Sequence, residues 1–280
     1  MKLSIITINY NNAEGLRKTL ASVGAQTDRN IEHIIVDAAS TDGSVDVIRD
    51  YESSNRSSVH PLTVIWSSEP DNGIYDGMNR GIRKTTGDYV QILNSGDLLV
   101  GPDIIARMMT ELEKHNFPEL LYGNSIDVYQ SKRISSHGPG IEYSLRALYI
   151  GTYPHSSTYF KRELFSREQY GLYDESLKIV SDWKWYLRAI GLGYVKPIYV
   201  DIDVALFDVS GISSTNKTLD ARERQQVLAE VLPPAIYEDY KKYSLPIEQY
   251  RRLKRYHLWG IVYLLERWLF KLEKWGIIRK

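Results

Sequence analysis

The chain has 280 residues, no net charge, 43% hydrophobic residues and 25% charged residues. This composition is that of an ordinary globular protein and excludes a disordered or fibrous chain. Cysteine is absent, so a disulfide framework and a thiolate metal site are both excluded. At about 100 to 200 residues per domain, the length predicts one large domain with an appendage. The first apolar segment follows the N-terminus without an export signal, so we expect a cytoplasmic protein.

The first half of the chain alternates predicted strands with predicted helices. Apolar runs rich in β-forming residues predict strands at 3–10, 31–37, 62–66 and 89–93. Helical patterns lie at 15–25, 44–51, 74–85 and 102–114, and a further strand is predicted at 120–128. Nearly continuous apolar strands with helices between them predict a doubly wound α/β domain, whose mostly parallel sheet is covered on both faces.

Polar side chains follow each of the first four predicted strands. In parallel sheets, ligands bind beyond the carboxyl ends of the strands. The polar groups at these ends are Asn9, Tyr10 and Asn11, then Asp37, then residues 69–72, then residues 94–97. Each could cap the helix that follows. Their coincidence at four strand ends favours a ligand site.

Two carboxylates are candidates for chemistry. Asp97 ends the fourth strand region, where a carboxylate can hold Mg²⁺ or Mn²⁺ together with substrate phosphates. Asp182 begins a predicted helix at 181–190, after a segment at 132–173 that we predict to be irregular, with a short helix at 142–149. Asp182 could be a helix cap or a general base shielded by the neighbouring Trp183 and Trp185. A strand region is predicted at 194–207.

Motifs of several other enzyme classes are missing. The chain has neither a GxxxxGK[ST] phosphate loop nor a GxGxxG after its first strand, which disfavours P-loop ATPases and dinucleotide oxidoreductases. It also has no GxSxG, the common signature of serine hydrolases on α/β folds.

The C-terminal region is basic and amphipathic. From Lys241 onward the chain has eleven Lys and Arg residues and three Glu residues, which give this region a net charge of +8. Two prolines interrupt a predicted helix that starts near residue 219, and another helix is predicted from 246 to 275 with an apolar stripe that includes Trp268 and Trp275. Such a helix fits a membrane interface. A helix packed on its own domain or on a homodimer partner is the alternative, whereas nucleic acid is disfavoured because the aromatic and basic residues occupy different faces.

The strand-end motifs resemble one known family. The segments are Ser4-Ile5-Ile6-Thr7-Ile8-Asn9-Tyr10-Asn11-Asn12, Ile35-Val36-Asp37-Ala38-Ala39-Ser40-Thr41-Asp42-Gly43, Glu69-Pro70-Asp71-Asn72-Gly73-Ile74-Tyr75-Asp76-Gly77-Met78-Asn79-Arg80-Gly81, and Gly87-Asp88-Tyr89 through Asp97. In this order and spacing they resemble family 2 inverting glycosyltransferases of the GT-A fold, of the type used in bacterial polysaccharide or O-antigen synthesis. The resemblance covers about residues 1–215, which we predict to be the catalytic domain, and leaves 216–280 as a helical extension.

The resemblance implies a role for each matching position. Contacts to a nucleotide-sugar donor, linked to UDP, GDP or dTDP, are implied for the residues Thr7, Asn9, Tyr10, Asp37, Asp71 and Asn79. Asp97 resembles the metal ligand for Mg²⁺ or Mn²⁺, Asp182 resembles the catalytic base, and His155 resembles an acceptor-side residue.

Two departures and two alternatives accompany this interpretation. The usual Asp-Ser-Asp-Asp is Asn94-Ser95-Gly96-Asp97 here, and the usual Asp-Gly-Ser is Asp37-Ala38-Ala39-Ser40. The implied activity is transfer of a sugar to a hydroxyl of a saccharide or lipid-linked saccharide, by a protein peripheral to the inner face of the cell membrane. The alternatives are a nucleotidyltransferase and a non-catalytic nucleotide-sugar-binding protein.

Overall fold

A computed structural model describes residues 1–129, 132–137, 143–211, 215–242 and 268. By its contacts the chain divides into two compact units, Met1–Val227 and Leu228–Lys280. Among the described residues, nine strands join in one sheet, with the order β3-β2-β1-β4-β8-β6-β9-β5 and β7 paired with β6.

The first half of the sheet is parallel. Its strands are β1 (Leu3–Asn9), β2 (Ile31–Asp37), β3 (Thr63–Ser68) and β4 (Tyr89–Ile92). The intervening helices are α1 (Ala13–Gly24), α2 (Ser44–Arg56) and α3 (Ile74–Lys84). The strand register sets Asn9 opposite Asp37 and Asp37 opposite Ser68, so the three carboxyl ends coincide. The predicted elements of this half are confirmed to within a few residues at their ends.

Close packing of α3 on β1 fixes the helix that carries Tyr75. A Cβ atom at Gly81 would lie 2.5 Å from Cγ2 of Ile6, which is closer than atoms can approach. Only glycine therefore lets the helix lie this near the strand. At its other end, α3 begins at Ile74. Its N-cap residue is Gly73, which has no side chain to cap the helix.

The second half of the sheet is mixed. Its elements are β5 (Leu98–Leu99), α4 (Ile104–Lys114), β6 (Leu120–Tyr129), β7 (Lys132–His137), α5 (Leu145–Ile150), β8 (Thr158–Lys161) and β9 (Pro197–Asp208), with 3₁₀ turns at His155–Ser157 and Arg162–Ser166. The pairs β4–β8, β6–β8, β6–β7 and β5–β9 are antiparallel, and β6–β9 is parallel. The main core of this half lies under α4, where Met108 and Leu112 pack with Tyr159.

One prediction in this region is wrong. The segment 132–173 is not irregular, because it contains β7 and the four-residue strand β8. Strand β8 lies between β4 and β6 and so joins the parallel half of the sheet to the mixed half. Four residues between two 3₁₀ turns are too few to show the alternation that identifies a strand in sequence.

The remaining helices follow the sequence closely. Helix α6 (Ser181–Tyr186) continues as a π-helical turn over Leu187–Gly191, and α7 covers Lys217–Val231. Helix α7 ends just before Pro233 and Pro234, as predicted, and residues 234–242 are helical. In the described part of the chain, no helix is both long and apolar enough to cross a bilayer. The predicted tail helix at 246–275 lies outside the described residues, apart from Trp268.

Candidate active site

The carboxylate of Asp37 is the centre of a hydrogen-bond cluster at the ends of β1, β2 and β3. One of its oxygens accepts from Asn9 Nδ2 at 2.8 Å and from Ser40 Oγ at 2.6 Å. The other accepts from the Ser40 backbone N–H at 2.9 Å and from Ser68 Oγ at 2.6 Å. Asp37 is completely buried. The cluster therefore connects the carboxyl ends of three strands at the predicted donor site.

Asn9 leaves one buried acceptor without a partner. Its Nδ2 is bonded to Asp37 and to Ser40 Oγ, but its Oδ1 has no hydrogen-bond partner, although the residue is only 4% exposed. A buried acceptor of this kind is costly unless a ligand or water pairs with it. Its position beside Asp37 is consistent with the donor contact predicted for Asn9.

Two further donor contacts are predicted in and just after β1, at Thr7 and Tyr10. One of these side chains is buried and the other is exposed. Thr7 is fully buried, and its hydroxyl donates to the Leu93 carbonyl at 2.9 Å and lies 3.0 Å from His33 Nε2. Tyr10, immediately after β1, is 68% exposed. Tyr10 can therefore stack on a ligand, whereas the side chain of Thr7 is bound within the sheet.

Asp71 forms a hydrogen bond within the turn before α3, and Asn79 on α3 forms hydrogen bonds to the segment at Tyr173. Asp71 accepts from the Gly73 N–H at 2.9 Å, and burial raises the pKa of its carboxyl. Asn79 is 1% exposed, donates to the Tyr173 carbonyl and to Glu175, and accepts from the Tyr173 N–H at 3.0 Å. The side chain of Asn79 thus holds the segment at Tyr173 and Glu175 in place. The donor contact of Asn79 remains a prediction.

Asp97 meets a second carboxylate that the sequence analysis missed. Asp97 is 4% exposed, and one of its oxygens accepts from the Asp208 backbone N–H at 3.0 Å. Burial raises the pKa of Asp97 to about 7, and the negative charge of Asp208 adds to the effect. Asp208 ends β9, more than one hundred residues away in the chain, so no local pattern could have paired the two.

The backbone conformation at Gly96 explains why a glycine occupies this position of the metal motif. Gly96 has a φ of 107°, in the left-handed region that side chains disfavour. A Cβ atom there would lie 3.5 Å from Asp208 Oδ2. The turn therefore suits glycine, and Asp208 occupies the space beside it.

Asp97 and Asp208 are the residues that could hold a divalent cation. Mg²⁺ is usually held by one or two carboxylates together with substrate phosphates, and two like charges at a buried site are relieved by a cation between them. Asp97 and Asp208 supply such a pair. Among the described residues no group of three or more acidic or histidine side chains could hold a metal by itself, so the substrate phosphates would complete the coordination.

Asp182 contacts the hydroxyl of Tyr75. Helix α6 has Val180 as its N-cap, so Asp182 lies inside the first turn and is not the capping residue. The Tyr75 hydroxyl lies 2.9 Å from Asp182 Oδ1 and 2.5 Å from the Ile179 carbonyl. Burial and the charge of Asp182 raise the pKa of Tyr75 well above its ordinary value, so its proton is retained.

His155 lies near the same carboxylate. Its Nε2 is 2.9 Å from the Tyr173 hydroxyl, and its ring packs against Tyr173 and Phe160. Burial lowers the pKa of His155, and the negative charge of Asp182 acts in the opposite direction. The Tyr173 ring in turn lies 5.7 Å from the Tyr75 ring. The structure thus brings His155, Tyr173, Tyr75 and Asp182 together.

The loop before α6 also meets the turn before α3. Lys178 Nζ donates to the Asn72 carbonyl at 3.0 Å, and a Cβ atom at Gly73 would lie 3.5 Å from the same nitrogen. The Asp71–Gly73 turn on the donor side is therefore adjacent to the loop that leads to Asp182. Tyr75 could have been singled out in the sequence as a site residue. It lies in the first turn of a helix that follows a strand end, where ligands bind in such sheets.

Comparisons with known proteins identify the family of the chain. The profile of Glycosyl transferase family 2 matches residues 4–168. An uncharacterized glycosyltransferase of Mycobacterium tuberculosis is 34% identical over 216 residues, which are 76% of this chain and 77% of that protein. A PGL/p-HBAD biosynthesis glycosyltransferase of Mycobacterium bovis is 28% identical and covers 76% of this chain and 79% of its own.

Solved structures share the fold. Staphylococcus aureus TarS 1–349 in complex with UDP-GlcNAc aligns with a TM-score of 0.65 at 17% identity, covering 85% of this chain and 69% of its own. The mannosyltransferase PcManGT of Pyrobaculum calidifontis, in complex with GDP-Man and Mn²⁺, aligns with a TM-score of 0.61 at 21% identity, covering 88% and 72%.

The fold and the profile together define a glycosyltransferase with a GT-A type α/β domain. The chain belongs to glycosyl transferase family 2. The predicted fold class, family and enzyme class are thereby confirmed.

Proposed function

We propose that this enzyme transfers a sugar from a nucleotide-sugar donor to an acceptor hydroxyl with inversion, and that Asp182 is the base. The observation that carries the proposal is the contact of Asp182 with the Tyr75 hydroxyl. The charge of Asp182 also acts on the nearby His155, and the loop before α6 contacts the Asp71–Gly73 turn through Lys178. The carboxylate is partly exposed, so a hydroxyl can reach it.

The proposed reaction is a single displacement at the anomeric carbon. Asp182 removes the acceptor proton while the acceptor oxygen attacks the anomeric carbon from the face opposite the diphosphate. The bond between that carbon and the diphosphate oxygen breaks, and its electron pair leaves with the nucleoside diphosphate. Bound through Asp97 and Asp208, a divalent cation would supply counter-charge to this leaving group. Tyr75 orients the base from one side.

The donor is proposed to be a UDP-, GDP- or dTDP-sugar. The unpaired Asn9 Oδ1, the exposed Tyr10 ring and the Asp37 cluster support a nucleotide at the strand ends. Two structural neighbours hold UDP-GlcNAc and GDP-Man in their own sites. These complexes support a nucleotide sugar as the class of donor.

The acceptor is proposed to be a saccharide, linked to a lipid, in the synthesis of a cell-surface polysaccharide or glycolipid. One relative is named for PGL/p-HBAD biosynthesis. The basic, Trp-containing region after residue 240 supports binding to the inner face of an anionic membrane. Trp268, the one residue described after residue 242, is helical and 57% exposed.

A thermal-shift screen of UDP-, GDP- and dTDP-sugars with Mn²⁺ tests the donor. A ligand at 100 times its Kd adds about 2.7 kcal/mol of stability, so one nucleotide class should raise Tm by several degrees. Products are then identified by ³¹P NMR with a lipid and saccharide extract as acceptor. Free nucleoside diphosphate supports the proposal, and pyrophosphate would instead indicate a nucleotidyltransferase. A shift without any product would indicate a non-catalytic binding protein.

A further inference from the structure

Glu223 is a buried carboxylate on α7 that holds three consecutive backbone N–H groups. It is 5% exposed. One oxygen accepts from the Lys178 N–H at 2.9 Å, and the other accepts from the N–H groups of Ile179 at 2.9 Å and Val180 at 3.3 Å. The family profile ends at residue 168, so neither Glu223 nor the loop that it holds lies within the matched segment.

These bonds fix the entrance to the helix that carries Asp182. The N-cap of α6 is Val180, whose side chain cannot accept a hydrogen bond. Loops are mobile when their backbone groups are unpaired. Because Glu223 binds the two residues before the cap and the cap itself, it determines where the first turn of α6 begins.

Ile179 connects this carboxylate to the catalytic pair. Its N–H is held by Glu223, and its carbonyl lies 2.5 Å from the Tyr75 hydroxyl. That hydroxyl has one proton and two acceptors, the Ile179 carbonyl and Asp182. Whether the Tyr75 hydroxyl donates to Asp182 or to the Ile179 carbonyl therefore depends on the position of the Ile179 peptide.

The next residue on α7, Arg224, contacts the residue that follows Asp182. The Arg224 guanidinium lies 4.5 Å from the centre of the Trp183 ring, and its Nε is bonded to Asp220. Trp183 is 1% exposed and donates from its indole to the Leu148 carbonyl at 2.7 Å. Consecutive residues of α7 thus contact the backbone before Asp182 and the side chain after it.

We propose that Glu223 is a positioning residue for catalysis, which acts on Asp182 through the 178–180 backbone and Tyr75. This inference rests on the proposed role of Asp182 as the base. It makes helix α7 part of the active site, although the helix itself is outside the segment that identifies the family.

The first experiment replaces Glu223 by Gln, which preserves volume but puts an amide donor against backbone donors. With the nucleotide sugar selected by thermal shift, kcat for release of nucleoside diphosphate should fall about 10- to 100-fold, the usual effect of losing a charged hydrogen bond. The Kd of the donor should not change. Glu230→Gln, an exposed carboxylate two turns later on the same helix, is the matched control and should retain wild-type kcat.

A double-mutant cycle separates positioning from general stability. If Glu223 acts through Asp182, Glu223→Gln should lower turnover in the wild type but produce no further loss in the Asp182→Asn background. An equal fold loss in both backgrounds would overturn the inference, as would wild-type kcat in Glu223→Gln. If Asp182→Asn itself retains kcat, the proposed base fails instead.

Glu223→Asp is used if the Gln variant does not fold. It keeps the charge but is one methylene shorter, so it cannot hold all three N–H groups. An intermediate kcat with unchanged donor Kd is expected, and full wild-type kcat would contradict the inference.

Discussion

The Tyr75 hydroxyl lies 2.9 Å from a carboxylate oxygen of Asp182, although 107 positions separate the two residues in the chain. Tyr75 is on the first turn of the helix after β3, and Asp182 is on the first turn of α6. The contact therefore joins the predicted donor half of the domain to the predicted acceptor half.

Tyr75→Phe should reduce turnover without weakening donor binding. The variant removes the hydroxyl that orients Asp182 but keeps the ring that packs on Tyr173. We expect kcat to fall about 10- to 100-fold, because a hydrogen bond to a charged group is worth about 1.5 to 3 kcal/mol. Steady-state kinetics and donor Kd are measured together. Tyr89→Phe, whose hydroxyl contacts the Pro118 carbonyl, is the control. Equal kcat in the two variants would contradict the orienting role.

Asp97→Asn should abolish the stabilisation that Mn²⁺ adds in the presence of a nucleotide sugar. The buried carboxylate is replaced by a neutral amide, so that of the two proposed cation ligands only Asp208 keeps its charge. We expect the metal-dependent part of the Tm shift to disappear, and Asp208→Asn should have the same effect. Asp50→Asn, an exposed carboxylate on α2, should behave as the wild type. If the wild type shows the same Tm and the same activity in EDTA and in Mn²⁺, the metal assignment is wrong.

His33 should make stability depend on pH. Its Nε2 faces Thr7 and its Nδ1 faces the Tyr51 hydroxyl, and burial lowers its pKa from 6.5 to about 3. Below pH 6.5 the unfolded chain binds a proton that the folded chain does not, so stability falls as pH decreases from 6.5 to about 3. The slope attributable to this group is about 1.4 kcal/mol per pH unit.

Urea unfolding of wild type and His33→Gln across that range tests the slope. The variant should lose this component of the pH dependence, while His60→Gln, an exposed histidine, should keep it. Parallel stability curves for the wild type and His33→Gln would show that His33 is protonated in the folded state.

Removal of residues 245–280 should release the protein from anionic membranes. The deleted region contains most of the basic residues of the tail as well as Trp259, Trp268 and Trp275, and it leaves α7 intact. Co-sedimentation with anionic liposomes at low salt should drop to background, whereas the nucleotide-induced Tm shift should persist. Full-length protein that does not sediment with the liposomes would refute the membrane proposal.

The sequence identifies the strand ends of the predicted donor site more readily than the packing around the predicted acceptor site. Asn9 and Asp37 end strands, and Asp97 lies shortly after β4. The apolar runs of these strands are long enough to be recognised, and parallel strands bring their ends to one edge. The structure adds the partners of these residues, such as Ser68 for Asp37 and Asp208 for Asp97. These partners come from distant segments, and no local periodicity specifies them.

The acceptor half depends on packing that a linear pattern does not contain. The sequence left Asp182 as either a cap or a base, and the structure shows that Val180 occupies the cap position. Strand β8 was missed because it is four residues long. Glu223 was missed because a single Glu on a polar helix is typical of a solvated face, and its burial is visible only in three dimensions.

The turnover of Asp182→Asn tests the central claim most directly. Asn keeps the size of the side chain but cannot accept the acceptor proton, so kcat for release of nucleoside diphosphate should fall about 10² to 10⁴-fold. The donor Kd and the Tm should stay close to those of the wild type. An Asp182→Asn enzyme that binds the donor and retains most of its kcat would contradict the assignment of Asp182 as the base.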